Sequence, residues 1–170
     1  MPSDPGTMIV LMLVTIFVGS AAIWGLMAWR HARLRAELAQ HRTLFLERDV
    51  RVAVGTLASL GAGKRWMVAD VWITDRAAVL LMRQLIGMPQ PPVALFRTQK
   101  EASAQRRALV HSRIVTGLVV HGAEHALTLQ CTGAFTYLEL KLRPVELEAL
   151  VAALQSNLNR GLMVPAASTR

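Results

Sequence analysis

The sequence predicts an α+β protein: an N-terminal membrane-spanning helix, then an antiparallel β-sandwich or barrel of about six or seven strands, closed by a C-terminal amphipathic helix. Three observations carry this. Residues 8–29 (MIVLMLVTIFVGSAAIWGLMAW) hold no charge, residues 49–143 repeatedly alternate apolar and polar side chains, and residues 147–158 repeat leucine at helical spacing. The domain plan that follows is a short non-cytoplasmic tail (1–7), a span (8–29), a basic juxtamembrane helix (30–48), a soluble domain (49–161) and a disordered tail (162–170).

As a helix, residues 8–29 rise about 33 Å, matching a hydrocarbon core of roughly 30 Å. Trp24 and Trp29 stand at its C-terminal end, where an indole keeps its ring in the interface and its N–H near water. Arg30, Arg33, Arg35 and Arg42 follow, opposed nearby only by Glu37, while residues 1–7 carry no Lys or Arg. Cations beside a span resist translocation and are drawn to an anionic leaflet, so the bulk of the chain is expected in the cytoplasm of a bacterial cell, held at the inner membrane. Trp24, Trp29, Arg30, Arg33 and Arg35 are the candidate membrane-interface residues. A cleaved signal peptide would need a positive N-terminal region and a shorter apolar run. Gly19, Ser20 and Gly25 are candidates for close helix packing against a partner span or a second copy.

Net charge is +8, from 19 Lys and Arg against 11 Asp and Glu. Topology accounts for the excess, and a nucleic-acid platform is not expected, because aromatic residues do not interleave with the cations and Tyr137 is the only tyrosine. One cysteine, Cys131, excludes an intramolecular disulfide framework and lies in the alternating run Leu127, Leu129, Cys131, as a buried small side chain would.

Residues 30–47 (RHARLRAELAQHRTLFLE) contain strong helix formers, with Leu34, Leu38 and Phe45 near one face. Such a segment lies on acidic lipid, pairs with the same helix of a second copy, or forms a solvated stalk. From Asp49 the pattern becomes β-like. Val50, Val52 and Val54 alternate; residues 65–76 (RWMVADVWITDR) and 77–82 form a hairpin about Asp75 and Arg76; residues 87–92 (GMPQPP) form a loop. Residues 93–96 make a short strand, and 99–107 an exposed loop or marginal helical turn. Residues 114–120 and 126–131 pair around a tip at 121–125, and 135–143 give a strand with Leu138, Leu140 and Leu142 on one face. After Pro144, Leu147, Leu150, Val151, Leu154 and Leu158 form one apolar stripe.

Two stretches resemble the pleckstrin-homology-like superfold, including the bacterial PH and GRAM-type domains. Residues 71–82 (VWITDRAAVLLM) look like its strand–turn–strand hairpin, and 127–155 (LTLQCTGAFTYLELKLRPVELEALVAALQ) like its last strands and closing helix. The resemblance implies a binding or scaffolding module and no catalyst. In lipid-binding members, basic residues around the first strands hold a phosphorylated headgroup; Lys64 and Arg65 are the candidate lipid-headgroup residues, although the family's spaced run of several Lys and Arg is absent here.

Two motifs suggest chemistry. His121, Glu124 and His125 spell H-x-x-E-H, but the metalloprotease pattern needs one helix to present both imidazoles, and here it contains Gly122 between two strands. Gly61, Gly63 and Lys64 fall short of a P-loop, because Ala58 and Arg65 occupy required Gly and Ser or Thr positions. No catalytic residue, metal ligand or cofactor is therefore assigned. The expected partners are the lipid bilayer and a larger membrane protein complex.

Overall fold

The structure, a computed structural model, describes residues 4–56, 65–85, 87–105, 110–133 and 137–158. One helix, α1 (Pro5–Leu38), takes the whole apolar stretch and continues past it. Pro5 opens it where a missing N–H costs nothing, and the Ala39 N–H closes it on the Arg35 and Glu37 carbonyls. The side chains of residues 4–26 are all exposed, as one helix long and apolar enough to cross a membrane would leave them.

Seven strands follow: β1 (Thr43–Thr56), β2 (Arg65–Thr74), β3 (Ala78–Arg83), β4 (Val93–Phe96), β5 (His111–His121), β6 (Ala126–Thr132) and β7 (Tyr137–Arg143). They pair in chain order, and β1 also pairs with β7, from Arg51 opposite Arg143 to Thr56 opposite Leu138, so the sheet closes on itself. β1 serves both neighbours because it is long and bends. A register shift between Glu47 and Val50 places Asp49 at φ 60°, the geometry of a bulge that turns a strand.

Alternation sends Val50, Val52, Val71, Ile73, Leu80, Leu127, Leu129, Leu140 and Leu142 into one interior. Then α3 (Leu147–Leu158) adds Leu147, Leu150, Leu154 and Leu158 to the same core, packing against β1, β2 and β6. Two of its ties lie at the end of the sheet where β1 starts and β2 finishes: the Asn157 amide donates to the Thr74 carbonyl at 2.7 Å, and Glu47 accepts from the Val145 N–H at 2.7 Å.

Two expectations are corrected. The sheet is mixed: β4 and β5 run parallel, Val93 opposite His111 and Phe96 opposite Ile114, because the intervening chain forms a crossover containing α2 (Gln99–Ala104) in place of a tight turn. The helix does not reach residue 48 either. It stops at Leu38, β1 starts at Thr43, and Phe45, 6% exposed, belongs to the sheet interior rather than to a helical face, because the chain turns at 39–42 and pairs with β2 from Thr43 on.

Candidate functional site

The apolar N-terminal half of α1 is exposed, whereas Met27, His31, Leu34 and Leu38 are buried. Spaced i, i+4, i+7 and i+11, they form one stripe along the helix. Leu34 and Leu38 pack against Val79 and Leu81 of β3 and Ala94 and Phe96 of β4, with Ala102 of α2 completing the cluster. The juxtamembrane segment, expected on lipid, on a second copy or in water, therefore docks on the outside of its own sheet. Residues of β3 are apolar on both faces because one face meets the core and the other meets α1.

Polar pairs fix the register of this junction. Asp70 faces outward from β2 yet its side chain is only 6% exposed. Its Oδ2 accepts from Arg35 Nη2 at 2.7 Å, while its Oδ1 lies 3.5 Å from Arg83 Nη2 and 3.4 Å from the Asp49 N–H. Arg83 also pairs with the Asp49 carboxylate. One carboxylate thus gathers a helix residue, a strand residue and the bulge of β1, and charge-assisted bonds of this kind compensate its burial. Four residues earlier on α1, His31 Nε2 donates to the Gln90 carbonyl at 2.8 Å, tying the loop after β3 to the helix.

Of the interface candidates, Trp24 and Trp29 are 52% and 55% exposed, and the Arg33 guanidinium lies 5.5 Å from the centre of the Trp29 ring. Arg30 is half-buried. Arg35, placed among the membrane-interface residues by the sequence, has Asp70 as its partner. Lys64 lies outside the described residues, and only the backbone of Arg65, the first residue of β2, is described.

Gly19, Ser20 and Gly25 do not make one packing stripe. At about 100° per residue, Gly25 lies roughly 140° round the helix from Ser20. Side chains added at Gly19 or Gly25 would meet open space. Ser20 shares the face that Met27 and His31 turn toward the domain, a phase that the spacing of seven and eleven residues sets.

The H-x-x-E-H residues occupy the β5–β6 tip, where Gly122–Glu124 form a single 3-10 turn. His121 Nε2 bonds the Thr128 hydroxyl at 3.0 Å, and His125 Nε2 donates to the Val145 carbonyl at 3.0 Å. Glu124 pairs with Lys141, whose hydrogen bond and charge hold its carboxyl below the usual range, and Arg143 lies 3.9 Å away. Each side chain is thus committed to a different partner. Among the described residues no group of three or more His, Cys, Asp or Glu could hold a metal ion. Cys131 is fully buried, and burial pushes its thiol up to about 12.

No protein-family model, curated protein or solved structure matches this chain. Sequence reasoning missed the Asp70 cluster and the His31–Gln90 tie. One signal for the junction was present: AVLLM and VALF are uninterrupted apolar runs, the mark of strands covered on both faces.

Proposed function

We propose that the chain is a single-pass, membrane-anchored binding or scaffolding protein, an accessory or assembly factor of a larger membrane complex. Its domain sits on the cytoplasmic face of a bacterial inner membrane and has a pleckstrin-homology-like architecture. The observation that carries the reading is the division of α1, whose apolar half is exposed throughout while its basic half is docked on the sheet. A stalk would let the domain wander. A docked helix presents it in one orientation, in the plane of a membrane, where confinement raises the effective concentration of any membrane partner.

The cations after the span support the orientation. The closing helix on a strand-rich domain supports the pleckstrin-homology-like reading, from which the parallel β4–β5 pair is a local departure. The closed sheet bears on how a partner is read. Among the described residues no strand stands at a terminal edge of the order, so a partner is met by loops and the outer face rather than by adding a strand beyond a terminal one.

The test is a pull-down of the full-length, tagged protein from native membranes in mild detergent, with a span-swapped control and mass spectrometry. Stoichiometric recovery of one membrane complex supports the reading, and the control tells whether span or domain makes the contact. Recovery of lipid alone, with headgroup preference on charge-matched liposomes, replaces it with anionic-lipid sensing.

A further inference from the structure

The turn that joins β3 to β4 lies at the membrane end of the domain, and its position follows from the junction. At the far end, the Asp75 N–H bonds the Arg42 carbonyl at 3.1 Å, so the β2–β3 turn sits beside the finish of α1. From there β3 runs back along the helix, rising about 16 Å between Ala78 and Arg83. The same distance, about 16 Å, separates Leu38 from Met27 on α1. The chain after Arg83 is thus delivered level with the last turn of the apolar stretch, and the His31–Gln90 hydrogen bond holds it there. Met27 lies inside the uncharged stretch and is only 8% exposed, so the domain reaches the level at which the span begins.

The turn itself is built rather than loose. The Gln84 N–H bonds the Met88 carbonyl, the Gly87 N–H bonds the Gln84 carbonyl, and the Gln90 N–H bonds the Met82 carbonyl, each at 2.8 Å. Gly87, at φ 84°, supplies a conformation other residues adopt at a cost. This frame holds out Leu85, 68% exposed, and Met88, 41% exposed. Pro89, Pro91 and Pro92 add backbone without N–H donors that would need water. An isolated exposed leucine needs no explanation in a soluble domain. Here two exposed apolar side chains stand on one braced turn, tied to a residue two positions past Trp29.

We propose that Leu85 and Met88 insert into the interfacial region of the bilayer that α1 crosses, giving the domain a second, lateral point of membrane contact. The occupant is lipid, because the turn is tied to α1 at the end of its apolar stretch, the level at which Arg30 and Arg33 of the same helix suit anionic headgroups. With one contact the helix and its docked domain are free to tilt against the bilayer; a second contact restrains that tilt. The inference rests on α1 being a span, and its test separates the two.

The full-length protein is reconstituted in nanodiscs containing phosphatidylglycerol, with single cysteines introduced as Leu85→Cys, Met88→Cys, Phe17→Cys and Val145→Cys, each labelled with an environment-sensitive dye. Native Cys131 is fully buried and stays unlabelled, which also reports that each variant is folded. Lipids spin-labelled at the headgroup or mid-chain serve as quenchers. Dye at 85 and 88 is expected to be quenched by headgroup label at least about twofold more than dye at 145, on the exposed turn before α3. Dye at 17 is expected to respond to mid-chain label. If 85 and 88 match 145 while 17 is quenched, the lateral contact is wrong and the span stands. If 17 is unquenched as well, the span reading fails and takes the inference with it.

Discussion

Asp70 and Asp49 show how much of the junction depends on single residues. Asp70 is a nearly buried carboxylate whose partners, the Arg35 and Arg83 side chains, are themselves 48% and 33% exposed. Removing Asp70 lets both guanidinium groups turn to water, whereas removing Arg35 leaves the carboxylate with weaker partners at 3.5 and 3.4 Å. Asp70→Ala and Arg35→Ala are each expected to cost about 1–2 kcal/mol after discounting for exposure, with coupling of about 1 kcal/mol in the double variant. Thermal unfolding in detergent measures this, and purely additive effects would mean the ion pair contributes nothing. Asp49 tests backbone strain instead. Its φ of 60° suits glycine, and its pairing with Arg83 is mostly exposed, so Asp49→Gly is expected to change stability by less than about 0.5 kcal/mol. Asp49→Val, β-branched in the same conformation, is expected to cost about 1–2 kcal/mol.

At the scale of elements, the lower half of α1 and the closed sheet are separable cooperative units, because the helix meets only the outer face. Leu34→Ala with Leu38→Ala removes the two leucines that seat on Val79, Leu81 and Phe96. The helix can then undock without opening the interior, so limited trypsin digestion is expected to cut among Arg30, Arg33 and Arg35 while the domain fragment persists. Leu129→Ala, at a fully buried core position, is expected instead to lower global stability by about 2–5 kcal/mol. Loss of the domain fragment in the helix variant would show that docking and core folding are one event. The same separation explains what the chain reveals on reading. Val50, Val52 and Val54, the Asp75–Arg76 hairpin, the 121–125 tip and the leucines of α3 were legible because each faces one core, and one-sided burial writes a period of two or 3.6. Residues 43–47 were misread as helix because TLFLE, with three apolar residues in a row, carries no clear period. The parallel β4–β5 pair left no mark, since a short polar helix looks like a loop. The Asp70 cluster was invisible because its members are far apart in sequence, and no local pattern records a contact made only on folding.

For the whole molecule, the consequence of a docked helix is that the apolar half of α1 and the domain are expected to rotate together. Residues 26–38 of α1 contain neither Gly nor Pro, Leu34 and Leu38 are seated on the sheet and His31 is tied to Gln90, so a change in helical phase above Met27 is expected to carry through to the domain. Two alanines inserted between Ser20 and Ala21 turn the N-terminal part of α1 about 200° relative to the domain, while four turn it only about 40° and raise it about 6 Å. Deleting an equal number of residues from the start of the apolar stretch keeps its length matched to the bilayer. If one membrane complex contacts both the N-terminal part of α1 and the domain, the two-residue variant is expected to lose most of its capture in the pull-down and the four-residue variant to keep it. Cys131 should resist alkylation in both, because its burial, with the thiol pushed up to about 12, depends on the sheet and not on the span. Equal capture by the two variants would mean that a single half of the protein makes the contact, and the rigid junction would then serve to set the height and tilt of the domain rather than the pairing of two surfaces.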